Sequence, residues 1–408
     1  MVTRPIFTAM LAATMAVVAT GADAAEATWL RAALSSMPAT AFDLKPPFLA
    51  SAINLSAARA LGLRDHDTQP ADLLKRVLTP PENIGVLDAW IRRTDAGLLE
   101  DRLGVPLDRL AVLAGYNDLP NQTTLWIFDS DGTADAVFGG LPARGFSPLT
   151  GGMLANGKPS EMDLKSAAPG DPWRGDLGRT SVVGREGRIL LQAREPDLIE
   201  AARQATPASN LATVPFVNTV LTGAEAGAGD GAEIIHALLA GPQIGAGRDF
   251  MPEMAMLKPN DLQAQVETLR RKMEDQAAQE RATGLPPYPV ALLADIEIPG
   301  KSRGILLAFP YPDCRTAETG ATRFAARWRT AELATYGHGT TLADMTGADI
   351  ATRTVPASDG SCAAVVTATN PVPADGASFE NKPWTAVIGS IYRRDFGAAA
   401  MALGGPDR

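Results

Sequence analysis

Cysteine and histidine are scarce in this chain: Cys314 and Cys362, with His66, His236 and His338, among 408 residues. The cysteines are far apart and form no C-x-x-C, which argues against redox chemistry. No histidine has another two, three or four positions away. G-x-S-x-G, H-E-x-x-H and S-x-x-K strings are also missing, so no local hydrolase signature is present. A triad assembled from distant residues is not excluded, because such sites are defined in space. Basic residues are in deficit, 37 against 46 acidic, for a net charge of −9. With no basic stripe interleaved with aromatics, neither nucleic acid nor an anionic membrane surface is expected as a partner. Beyond the first residues no apolar run reaches about 18, so no membrane span is expected after removal of the leader.

The leader itself is well marked. Arg4 supplies a positive start, Ile6 to Thr20 is mostly apolar, Gly21 breaks the run, and Ala22-Asp23-Ala24 offers the small residues that a signal peptidase inspects. The expected cut follows Ala24 and leaves Ala25 as the mature N-terminus. In the oxidising compartment this implies, periplasmic or beyond, an even pair of cysteines reads as one disulfide, Cys314 to Cys362. The long loop it closes is worth roughly 4 kcal/mol in the chain-entropy model.

A hydrophobic content of 46% with 20% charge supports a sizeable core. The expected class is α+β: two related modules of antiparallel or mixed sheet packed with helices, preceded by a small helical region. The expected organisation is a signal peptide over 1–24, a strand and helical region over 25–115, and a first α/β module over 116–222. A linker and charged helix follow over 223–289, then a second, disulfide-bearing module over 290–408. Strands are predicted at Phe48–Leu55, Thr123–Phe128, Arg179–Val183, Arg188–Ala193, Val290–Ile298, Gly304–Phe309, Ile350–Val355 and Ala363–Thr367. Helices are predicted at Asp67–Leu78, Val86–Leu103, Asp108–Ala114, Thr133–Leu141, Pro196–Ala205, Asn260–Ala282, Arg315–Leu333 and Trp384–Phe396. Gly223–Gly231 reads as a Gly/Ala linker. Both halves run strand, helix, hairpin, helix, with an aspartate after the strand (Asp129, Asp313) and an Arg-Thr pair at the hairpin (Arg179-Thr180, Arg353-Thr354), the pattern expected of a duplication.

Several strings come close to catalytic motifs. Leu125–Phe128 followed by Asp129-Ser130-Asp131-Gly132-Thr133 resembles the first motif of the haloacid dehalogenase-like phosphohydrolases. That resemblance implies Asp129 as nucleophile and Asp131 as acid/base around Mg²⁺. It covers nine residues, and the family's later Ser/Thr, Lys and acidic pair do not follow in order. Asp129, Asp131 and Asp135 also read as a cation loop, with Gly132 at the turn. Gly152–Lys158 matches G-x-x-x-x-G-K, but Pro159 stands where a hydroxyl should hold Mg²⁺. Met251, Met254 and Met256 are soft ligands suited to Cu⁺. His236, in an apolar run, reads as a hydrogen-bonded core histidine. Trp173, flanked by Pro172 and Arg174 on a long polar loop, reads as a possible interface anchor.

The sequence therefore points to an exported, soluble, non-catalytic binding or envelope-assembly protein. Its expected partner is an envelope protein or a small-molecule ligand, and no cofactor is identified. The alternatives are a metal-dependent phosphohydrolase using Asp129 and Asp131, and a metal carrier.

Overall fold

A computed structural model describes residues 28–43, 49–62, 104, 107–117, 121–168, 171–175, 177–242, 284–330, 332–333, 340–372, 380–392 and 401, with scattered positions of 267–283. The leader, the helices expected at 67–78 and 86–103, the 251–256 methionines, His66 and His338 lie outside the described residues.

The described chain is α+β, built on one antiparallel sheet of twelve strands. Its two arms meet at β1 (Leu49–Asn54) and β8 (Glu233–Ala240), paired so that Ser51 faces Leu238 and Ala52 faces Ala237. Outward from β1 come β2 (Leu110–Tyr116), β3 (Thr123–Phe128), β7 (Ile189–Ala193) and β6 (Val182–Glu186), then the two-residue strands β5 (Leu154–Ala155) and β4 (Ser147–Pro148). Outward from β8 come β9 (Ala291–Ile298), β10 (Ser302–Tyr311), β12 (Cys362–Pro371) and β11 (Asp349–Pro356). Apart from the two short strands, both arms place their strands in the order first, second, third, fifth, fourth.

Helices cover both faces. One face packs on α1 (Thr28–Ser35), α4 (Pro196–Arg203) and α5 (Pro215–Gly227), around Ala50, Ala114, Ala237, Leu292 and Ala308. The other face carries α2 (Leu55–Gly62) and α3 (Asp131–Gly140) over the first arm. Over the second arm it carries α6 (Cys314–Thr330), α7 (Leu342–Thr346) and α8 (Lys382–Tyr392). In each arm the helix joining third strand to fourth, α3 or α6, lies on this second face. Helix α6 shows why such a segment folds: Ala317, Gly320, Ala321, Phe324, Ala325 and Trp328 recur at three- and four-residue intervals and are all buried. No helix among the described residues is long and apolar enough to cross a membrane. Cys314 at the start of α6 and Cys362 at the start of β12 form a disulfide.

Several expectations need correction. Asp108–Ala114 is not a helix: a 3-10 turn at Leu107–Arg109 leads into β2. Leu110 and Val112 to Tyr116 are all buried, so the strand lacks the alternation that marks one wet face. The run read as a Gly/Ala linker begins inside α5, and Ile234–Leu239 is the middle of the central strand β8. The glycines of α5 are packing devices: a Cβ at Gly223 would meet that of Ala363 at 2.5 Å, and one at Gly227 the Val365 side chain at 2.5 Å. Their lack of a side chain lets the helix lie close on β12. The β6–β7 hairpin turns at Gly187-Arg188 rather than over 184–187, with Gly187 at φ 55°.

Candidate functional site

The D-x-D-G-T string ends β3 and opens α3. Ser130 is the N-cap, its hydroxyl accepting from the Thr133 amide at 3.2 Å. Both carboxylate oxygens of Asp129 are engaged: Thr133 Oγ1 donates to Oδ1 at 2.7 Å, and Arg109 Nε lies 2.8 Å from Oδ2. The Thr133 hydroxyl bond first, and the Arg109 charge with it, hold the Asp129 carboxyl below its ordinary range. Asp135 pairs instead with Arg185 at 2.9 Å, and Asp131 lies in the first turn of α3, where its charge favours the helix dipole. Among the described residues no three His, Cys, Asp or Glu side chains converge as a metal site. The arrangement is that of a helix start. In arm two the aspartate itself takes the place of Ser130: Asp313 directly precedes α6 and accepts from the Thr316 amide at 2.8 Å and its hydroxyl at 3.0 Å. Accordingly, Ser130→Ala is expected to cost about 1 kcal/mol in urea unfolding, with the fold retained. A change of a few hundredths would remove the capping account.

Trp173, expected at an interface, is core. It is 3% exposed, with its ring 5.3 Å from Trp126 and edge-on to Phe146 at 5.9 Å. Its loop is pinned by buried hydrogen bonds: Asn156 Nδ2 and Ser181 Oγ donate to the Trp173 carbonyl at 3.0 and 2.6 Å. The charge and prolines around the tryptophan mark the loop, and the ring folds back beneath it.

His236 is a core histidine, but among the described residues its two ring nitrogens find no hydrogen-bond partner. It is fully buried on β8, its ring 4.9 Å from that of Trp384 on α8, and it sits beside Asp295 in the β8–β9 register. Burial pushes its pKa down to about 3, so the ring is neutral at pH 7. Asp295 is itself fully buried. Asn381, just ahead of α8, donates from Nδ2 to Asp295 Oδ1 at 2.6 Å and to the Gly304 carbonyl at 2.7 Å. One turn away on the same hairpin Glu297 and Arg303 approach to 3.8 Å, each about 7% exposed. This polar seam ties α8 to the second arm. Sequence reading missed Asp295, although an aspartate inside the apolar run of β9 was the available signal.

An accessible concave feature among the described residues lies on the opposite face of the sheet. A groove of about 570 Å³ runs between α1, α5 and the segment before α5, lined by Arg31, Ser35, Thr206, Asn210, Thr213 and Asn218, among others. Arg31 clamps its walls, donating from Nε and Nη2 to both carboxylate oxygens of Glu225 at 2.8 and 2.9 Å and from Nη1 to Asn218 Oδ1 at 2.6 Å. Such a forked pair is directional and fixes α1 against α5. Asn210 is held by its own turn, donating from Nδ2 to the Thr206 carbonyl at 2.7 Å. Chemically the lining offers hydroxyls and amides beside the apolar Ala205, Pro207 and Ala212, with one cation already matched by a carboxylate. It has no aromatic ring on which a sugar could stack. Sequence inspection gave no hint of it, because its residues come from two segments nearly 200 positions apart that only the fold brings together.

Comparison with family models, with curated proteins and with solved structures finds no match to this chain.

Proposed function

We propose that this is an exported, non-catalytic binding protein that holds a neutral, extended peptide segment of an envelope partner in the groove between α1 and α5. The observation carrying the reading is that lining: hydroxyl and amide groups beside Ala205, Pro207 and Ala212, with the Arg31 charge tied to Glu225. Extended peptide presents alternating N–H and C=O groups, which such walls satisfy without charge matching. The Asn218 oxygen is taken by Arg31, which leaves its amide N–H₂ to donate to a guest carbonyl. The compartment rests on the leader motif, and the Cys314–Cys362 disulfide supports it.

We also infer that the two arms are copies of one duplicated module. The shared strand order supports this, as does the side chain just ahead of each helix accepting a threonine amide three residues on, Ser130 from Thr133 and Asp313 from Thr316. In this reading the repeats begin at β1 and β8, so the first strand of each lies upstream of the boundaries at 116 and 290 drawn from sequence.

The test is calorimetric titration of the mature protein with a set of uncharged, unstructured peptides about eight residues long. Binding by some of them, weakened roughly tenfold in Asn218→Ala by the loss of one buried hydrogen bond, is expected. No binding across the set, or binding indifferent to Asn218→Ala, would retire the groove as the site.

A further inference from the structure

The two ends of the sheet are unlike. At one end β4 is two residues long and its second, Pro148, has no N–H to offer, which is how sheets blunt an edge. At the other end β11 runs for eight residues, Asp349–Pro356, with proline only at its last position. It pairs with β12 on one side, and among the described residues no strand pairs with its outer side. Asp349, Ala351, Thr352 and Arg353 are exposed along it.

We propose that β11 is a self-association edge: two copies of this chain pair β11 against β11, antiparallel, about a two-fold axis through Ala351. Three physical conditions agree. A two-fold axis perpendicular to the sheet keeps each side chain on its own face, so the register must centre on a residue. Either set of outward backbone groups then meets its match, whichever parity points out. Among the possible registers, the one centred on Ala351 sets Asp349 opposite Arg353 of the second copy, twice by symmetry. Centring on Asp349 or on Arg353 sets like charges face to face, and centring on Thr352 leaves Arg353 opposite Ala351. Arg353 already donates from Nη1 to the Ala226 carbonyl at the end of α5, which fixes its side chain on the α5 face of the strand and leaves its other donors for a carboxylate. Finally, α6 lies over β11 and β12 together. With strands about 4.8 Å apart, the two copies of α6 come to stand roughly 10 Å apart, the spacing of packed helices. Because the β4 edge is blunted, the assembly closes as a dimer and does not grow into a fibre.

Sedimentation velocity on the mature protein tests this independently of any ligand in the groove. Wild type is expected to dimerise. Asp349→Arg alone and Arg353→Asp alone, each folded by circular dichroism, are expected to dimerise at least roughly tenfold more weakly, since each sets like charges across the strand pair. Mixing the two single variants restores complementarity and yields a one-to-one heterodimer; combining both changes in one chain restores the homodimer. A wild type that stays monomeric to about 0.1 mM, a concentration at which an edge pairing of useful strength would be populated, overturns the proposal. So does a pair of single variants that dimerise as wild type does, or a mixture that does not associate.

Discussion

Lowering the pH from 7 to 4 is expected to remove roughly 3 kcal/mol of stability through His236 alone. In the unfolded chain the imidazole binds a proton near its ordinary value of 6.5, whereas in the folded protein burial depresses that value to about 3. The unfolded state therefore takes up a proton over a window in which the folded state does not. Stability is fully present above pH 6.5 and declines by about 1.4 kcal/mol per pH unit as pH falls toward 3. Among the described residues neither ring nitrogen has a hydrogen-bond partner, and the Trp384 ring packs against the imidazole at a tilt of 59°. Urea titrations at several pH values, on wild type and on His236→Phe, isolate the effect. Phenylalanine keeps an aromatic against Trp384 and carries no titratable group, so its acid limb should be flatter by that slope between pH 6 and 4. Parallel limbs for the two proteins would mean that His236 is not held neutral in the core.

Opening the Cys314–Cys362 disulfide is expected to cost about 4 kcal/mol, from the entropy returned to an unfolded chain no longer closed over a 48-residue separation. The bond joins α6 to β12 inside the second arm, so the loss should be cooperative with global unfolding. Guanidinium midpoints with and without reductant measure it. The Cys314→Ser, Cys362→Ser double variant should match the reduced protein and ignore reductant. A midpoint unmoved by reductant would mean that the bond contributes no closure entropy.

The elements legible in the sequence were those with a wet face or a sharp stop. The β9–β10 hairpin announced itself through Pro299-Gly300-Lys301, and α6 through its small and aromatic stripe. Two of the strands missed, β2 and β8, flank β1 in the sheet. β2 and β8 are buried on both sides, so neither alternates, and an apolar run alone does not separate strand from helix or linker. Helix α5 was missed for the opposite reason: Gly223 and Gly227 look like flexibility in sequence and act as clearance in space. The aspartate strings were visible, yet their chemistry was not, because Asp129 is defined by Arg109 and Thr133 beside it. The groove was invisible, since Arg31 and Asn218 share no sequence signal and meet through packing of α1 on α5.

The binding account stands on export into an oxidising compartment, and intact-mass spectrometry of protein taken from its native host, after alkylation under denaturing conditions, tests it most directly. The account predicts a chain that begins at Ala25 and takes up no alkyl group, because Cys314 and Cys362 are joined. A chain that still begins at Met1, or that gains two alkyl groups without reductant, would contradict it.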